Sequence, residues 1–141
     1  MKKFQNLGML NYITIYISSA VATLSLPPFS ILPLIFAFGF GIYLISFMPS
    51  LLKTFFAAWV LGFGWFSTGL YWIGSAFIVA DTYTIFLMPI AIVLLPSLLA
   101  VFWGIACVFA KLIDKNKEFS ILSIIVCLSL FEYLRANLFT G

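Results

Sequence analysis

The sequence contains no histidine. One absence thus removes imidazole base chemistry, histidine metal sites and histidine-ligated haem, since each needs a ring nitrogen that titrates or coordinates near neutral pH. Charge is nearly as scarce, at 8% of 141 residues, against about 25% in a soluble domain. A soluble fold has too few such groups here to cover its surface. Alternating strand patterns are missing, which argues against a membrane barrel. There is no metal-ligand spacing, no phosphate loop and no nucleophile–base arrangement, so neither a metal nor a cofactor is expected. The two cysteines, Cys107 and Cys127, sit in apolar runs without a base or cation near them in sequence. They read as small packing residues. No internal repeat is evident, which weighs against an inverted-repeat transporter.

What is present is apolar: 65% of the residues are hydrophobic, in runs that exceed the roughly 18 residues needed to cross a bilayer. The fold class expected is an all-α membrane protein, a polytopic bundle of about five transmembrane helices in a single domain over residues 1–141. The expected spans are 10–26, 31–48, 55–79, 83–109 and 119–139, with a cytoplasmic loop at 111–118. Pro27-Pro28-Phe29 marks an outer turn, Pro49 closes the second span, and Pro96 should bend the fourth near Leu95. A cleaved leader is the competing reading of the N-terminus, where Lys2 and Lys3 precede an apolar core. The apolar run continues past the small residues at 18–22, however, and another span follows at once.

The net charge of +3 would suggest nucleic acid in a soluble protein, but here the lysines lie in short gaps between spans. Lys2, Lys3, Lys53, Lys111, Lys115 and Lys117 all fall on one side if the segments alternate, and Asp81 falls on the other. By the positive-inside rule this gives a cytoplasmic N-terminus. The partner implied is membrane lipid, with no nucleic acid.

Two features stand out within the spans. The uncharged stretch 55–77 places Ala58, Gly62, Trp65, Gly69, Trp72 and Ala76 within an arc of about 80° on a helix. Small residues let a neighbouring backbone come close, so the stripe is read as a helix-packing face; the alternative is a lipid-facing helix with incidental glycines. The second feature is Glu132, the one carboxylate placed inside a span, with Arg135 three residues on and on nearly the same face. Counted at 1.5 Å per residue, they lie about 20 and about 24 Å into a core of roughly 30 Å, near the outer leaflet. Such a pair is either a functional site or two side chains snorkelling to the headgroups.

Residues 131–141, FEYLRANLFTG, resemble the E-x-L-R-x-x-x-x-T-G motif of apolipoprotein N-acyltransferases. LSLPPFSILP at 24–33 and GFGWFSTGLYW at 62–72 are similar to that family's first outer turn and third helix. The resemblance implies an eight-helix enzyme of the bacterial inner membrane with a periplasmic nitrilase-like domain. Such an enzyme moves an acyl chain from a phospholipid, through a cysteine thioester, to the N-terminal amine of a diacylglyceryl-cysteine lipoprotein. The family's catalytic Glu, Lys and Cys belong to the nitrilase-like domain, and no residue here matches them. The expectation is therefore a truncated or split N-terminal membrane part, multi-pass and inactive alone. A separate chain would supply the C-terminal part, and lipoprotein would be a substrate only of the complete enzyme. Glu132 and Arg135 would then be structural or line the route by which substrates arrive. A small transporter subunit or scaffold is the alternative.

Overall fold

The computed structural model describes residues 8–71, 88–114 and 121–139. Among them are five α-helices and no strand: α1 (Gly8–Ala22), α2 (Ile35–Ser46), α3 (Leu51–Gly69), α4 (Met88–Ile113) and α5 (Ile121–Phe139). The molecule is an all-α membrane bundle. Helices α3, α4 and α5 are each long and apolar enough to cross a bilayer; 19 residues of α3 span about 28 Å at 1.5 Å per residue. Large apolar side chains such as Leu10, Phe36, Val93, Leu122 and Leu138 face outward, the arrangement suited to a hydrocarbon solvent.

Single-turn 3₁₀ segments at Thr23–Ser25 and Leu32–Leu34 flank the α1–α2 turn. Within it the Pro27–Pro28 peptide is cis and Ser30 adopts a left-handed backbone, φ 53°. Two hydrogen bonds close it, from Ser30 N–H to the Leu26 carbonyl and from Ile31 N–H to the Leu24 carbonyl, both 3.0 Å. At the other end of the bundle Ser50 begins α3. Its extended backbone and its hydroxyl, which accepts from Lys53 N–H at 3.3 Å, form an N-cap.

Helix boundaries depart from the hydropathy-based spans for local reasons. The span expected over 55–79 contains a helix that starts at Leu51 and stops at Gly69, with Leu70 and Tyr71 in a turn. Ser67 and Thr68 donate their hydroxyls to the Gly64 carbonyl at 3.3 and 2.6 Å. Hydroxyls turned back onto the preceding turn compete weakly with the helical ladder, and at the helix end Leu70 N–H bonds the Phe66 carbonyl at 2.9 Å as the chain leaves after Gly69. Trp72 and Ala76 of the expected stripe, and Asp81, lie outside the described residues. Lys111, expected in a loop, is still helical, since α4 continues to Ile113. Its ammonium donates to the Met48 carbonyl and to Thr54 Oγ1, the latter at 3.1 Å, tying the end of α4 to the α2–α3 turn. The helix is continuous through Pro96.

Helix α3 is the centre of the bundle, packed most extensively on α4 and then on α1, while α5 rests on α4 and α2 on α1. Close approach is made by residues without side chains. A Cβ at Gly62 would lie 3.1 Å from Ala100 Cα, one at Gly104 would meet the Phe55 ring at 2.7 Å, and one at Gly64 would meet the Tyr16 carbonyl at 2.8 Å. Ala58 and Leu61 are fully buried beside them. Where lipid tails are as apolar as the helices, such backbone proximity is the main source of association. Gly69 differs from the rest of its stripe: a Cβ there would touch only Thr23 Cγ2, at an ordinary 3.9 Å.

Candidate functional site

Charge inside an apolar bundle is costly, and the structure shows how Glu132 and Arg135 offset that cost. The i, i+3 spacing on α5 lets the guanidinium grip the carboxylate as a fork, Nη2 to Oε1 at 2.5 Å and Nε to Oε2 at 3.1 Å. A third donor comes from another helix: Trp103 of α4 gives its indole N–H to Glu132 Oε2 at 3.0 Å. An indole N–H enclosed by apolar groups needs such an acceptor, and an ionised carboxylate needs such donors. Each therefore meets the other's requirement.

The rings around Trp103 come from two further helices. Phe38 of α2 stands edge-on at 5.5 Å, Phe66 of α3 lies at 5.1 Å and Trp65 at 6.5 Å between centroids. Phe66 has a second contact, with the Arg135 guanidinium 5.4 Å above its ring, within cation–π range. Four helices thus converge on one ion pair. Beside it lies a groove of ≈ 180 Å³ lined by Phe38, Trp103, Leu128, Ser129 and Glu132. A larger cavity of ≈ 310 Å³ under the α1–α2 turn, lined by Tyr16, Thr23, Pro28 and Thr68 among others, has no charged residue in its wall.

Sequence spacing identifies the Glu132–Arg135 pair but misses Trp103 and Phe66, which are distant in sequence from it. The available signal was an inventory: a tryptophan in an apolar span needs an acceptor, and Glu132 is the carboxylate that a span contains. Of the stripe, the structure places Ala58 and Gly62 in the α3 core and Trp65 beside Trp103. The stripe and the ion pair thus meet at the indole.

Chemically the arrangement is a neutral, hydrogen-bonded pair with rigid aromatic support. Cys107 and Cys127 are buried thiols within α4 and α5. Among the described residues no cluster of carboxylates or thiols is suited to holding a metal.

Comparison with known proteins places these features in a family. The domain family described as "Apolipoprotein N-acyltransferase N-terminal domain" matches residues 18–141. The chain is similar to proteins named apolipoprotein N-acyltransferase from several bacteria. It is 33% identical over 135 residues to that of Rhizobium rhizogenes, covering 89% of this chain and 25% of the relative. Identity is 37% over 132 residues for Rhodopseudomonas palustris, covering 89% and 24%. For Brucella suis it is 34% over 136 residues, covering 89% and 26%. The chain therefore spans about a quarter of the length of the curated relatives it matches. No solved structure matches it.

Proposed function

The chain belongs to the apolipoprotein N-acyltransferase family, in the region of its N-terminal domain, and on that premise we propose that it forms the membrane-embedded part of such an enzyme. The observation that carries this reading is the family match over residues 18–141. In this role the helices hold the enzyme in the bacterial inner membrane. The acyl-transfer chemistry lies in the part of the relatives that this chain does not span. The complete enzyme would take an acyl chain from a phospholipid and pass it to the N-terminal amine of a diacylglyceryl-cysteine lipoprotein.

Orientation follows from the lysines. Lys53 is one residue from Thr54, the residue that Lys111 bonds, so both lysines lie at the same end of the bundle. Positive charge favours the cytoplasmic side. The opposite end, which holds the α1–α2 turn and the C-terminal turns of α3 and α5, then faces the periplasm, where a lipoprotein acceptor would arrive. Glu132 and Arg135 line the approach to it, and the small residues of α3 keep the helices close enough to set their positions.

The test is complementation. The chain is expressed with the remaining three quarters of the Rhizobium rhizogenes relative as a second polypeptide, in bacteria depleted of their own N-acyltransferase. N-acylated lipoprotein, read by mass spectrometry of the N-terminal cysteine, should appear only when both polypeptides are present. Failure with both stably inserted in the membrane would count against the reading.

A further inference from the structure

Arg135 has more hydrogen-bonding capacity than its partners use. A guanidinium carries five N–H donors, of which Nε–H and one on Nη2 go to Glu132. The other three meet no acceptor among the described residues. The side chain is 22% exposed, and it cannot readily turn away, because the fork to Glu132 and the Phe66 face hold it in place. Glu132 is fixed in turn by Trp103. These donors open to the outside of the bundle, so the acceptor a charged group requires comes from beyond it, from water or from a lipid headgroup.

Depth indicates which acceptor. Phe66 lies three residues before the end of α3 at Gly69, about 4.5 Å of helix rise, and the Arg135 guanidinium rests on its ring. The guanidinium is therefore within a side chain's length of the end of the bundle, the depth at which lipid headgroups begin. Glu132 sits nearly one turn deeper and neutralises the charge from below, leaving the outward N–H groups to act by direction rather than by net charge. A tetrahedral anion with several acceptor oxygens suits a planar fork of donors better than a carbonyl or a single hydroxyl does. Below it, the groove lined by Phe38, Trp103, Leu128, Ser129 and Glu132 covers about one turn of α5, about 6 Å, room for the first few methylenes of a lipid chain.

We propose that Arg135 binds the phosphodiester of a membrane phospholipid through its three remaining guanidinium N–H groups, with Glu132, Trp103 and Phe66 as positioning residues. The same chemistry would accept a free phosphate. The proposal takes from the preceding reading only that a phospholipid comes to this end of the bundle.

The experiment is native mass spectrometry of the full 141-residue chain in mild detergent, titrated separately with dioleoyl phosphatidylglycerol and with dioleoylglycerol, which has the same chains and no phosphate. The wild type should bind the phosphatidylglycerol at least about tenfold more tightly, since the loss of even one of the three charge-assisted hydrogen bonds corresponds to that step. Arg135→Gln should remove that preference. Arg135→Lys, which keeps the charge and loses the fork, should weaken it at least threefold and serves if the glutamine variant does not fold. Adding inorganic phosphate separates the two sources. Displacement of the lipid supports a site for either form of phosphate, and persistence supports a site for the headgroup with its chains. Equal binding of the two lipids by the wild type, or a preference that survives in a folded Arg135→Gln chain, would overturn the site. The readout needs no turnover: a lipid preference without complementation removes the enzymatic reading alone, and complementation without a preference removes the site alone.

Discussion

An indole N–H buried among apolar groups loses free energy unless an acceptor reaches it, and Trp103 finds its acceptor on a helix 29 positions away in sequence. That bond ties α4 to α5 and leaves Glu132 with three donors instead of two. Trp103→Phe should therefore destabilise the protein by about 1–3 kcal/mol, the usual cost of leaving a buried polar group short of a partner. The same change at Trp65, which packs against Phe38 and Trp103, should cost less, because it deletes ring area without touching the carboxylate. Thermal unfolding in detergent compares the two directly; an equal or smaller loss at Trp103 would show that the bond contributes little. At this scale the sequence was half legible. The i, i+3 spacing of Glu132 and Arg135 is visible in any helical reading, whereas the indole partner depends on the register of α4 against α5, which spacing along one helix does not encode.

Among the helices, tight contacts are carried by glycines that face different neighbours. Gly62 faces Ala100 of α4, Gly64 faces Tyr16 of α1, and Gly104 receives Phe55 of α3. Leucine at Gly62 or Gly64 should cost upward of about 2 kcal/mol by forcing backbones apart. Gly69→Ala should be tolerated, since the nearest atom to the added Cβ is the Thr23 methyl at 3.9 Å. The fraction of each variant surviving as folded monomer through size-exclusion chromatography measures this; equal survival of all three would contradict the packing. Periodicity on α3 puts Gly62 on one face with Ala58, where a Cβ would lie 3.1 Å from Ala100 Cα. It passed over Gly64, because that residue packs on the other side of a helix with partners on two sides. Hydropathy also runs unbroken through Leu70 and Tyr71, where the chain turns, because an apolar run does not mark a helix end; positions 72–79 of that span lie outside the described residues. Lys111 was misplaced into a loop for a similar reason: its acceptors, Met48 and Thr54, lie in another part of the chain. Lys111→Met should consequently destabilise the α2–α3 turn, seen as faster amide exchange at residues 47–54 than in the wild type.

For the molecule as a whole, the class was legible from composition alone, because no arrangement of so few charged residues covers a soluble surface. Topology adds a direct prediction: reporter fusions at Lys53 and Lys115 should read cytoplasmic and one at Asp81 periplasmic. The reverse pattern would place Arg135 at the wrong membrane face for a periplasmic acceptor. Acyl transfer itself needs a reactive thiolate, a base and an oxyanion donor gathered in a partly solvated site. The thiols here are buried within α4 and α5, and no described base is bonded to either. The most direct measurement incubates the purified chain in vesicles with phosphatidylethanolamine and a diacylglyceryl-cysteine peptide, with and without the remainder of a relative. Peptide N-acylation and protein-bound acyl thioester are both read by mass spectrometry. The expected result is neither product from the chain alone and N-acylated peptide once the remainder is supplied. Acyl thioester on Cys107 or Cys127 of the isolated chain would contradict the account.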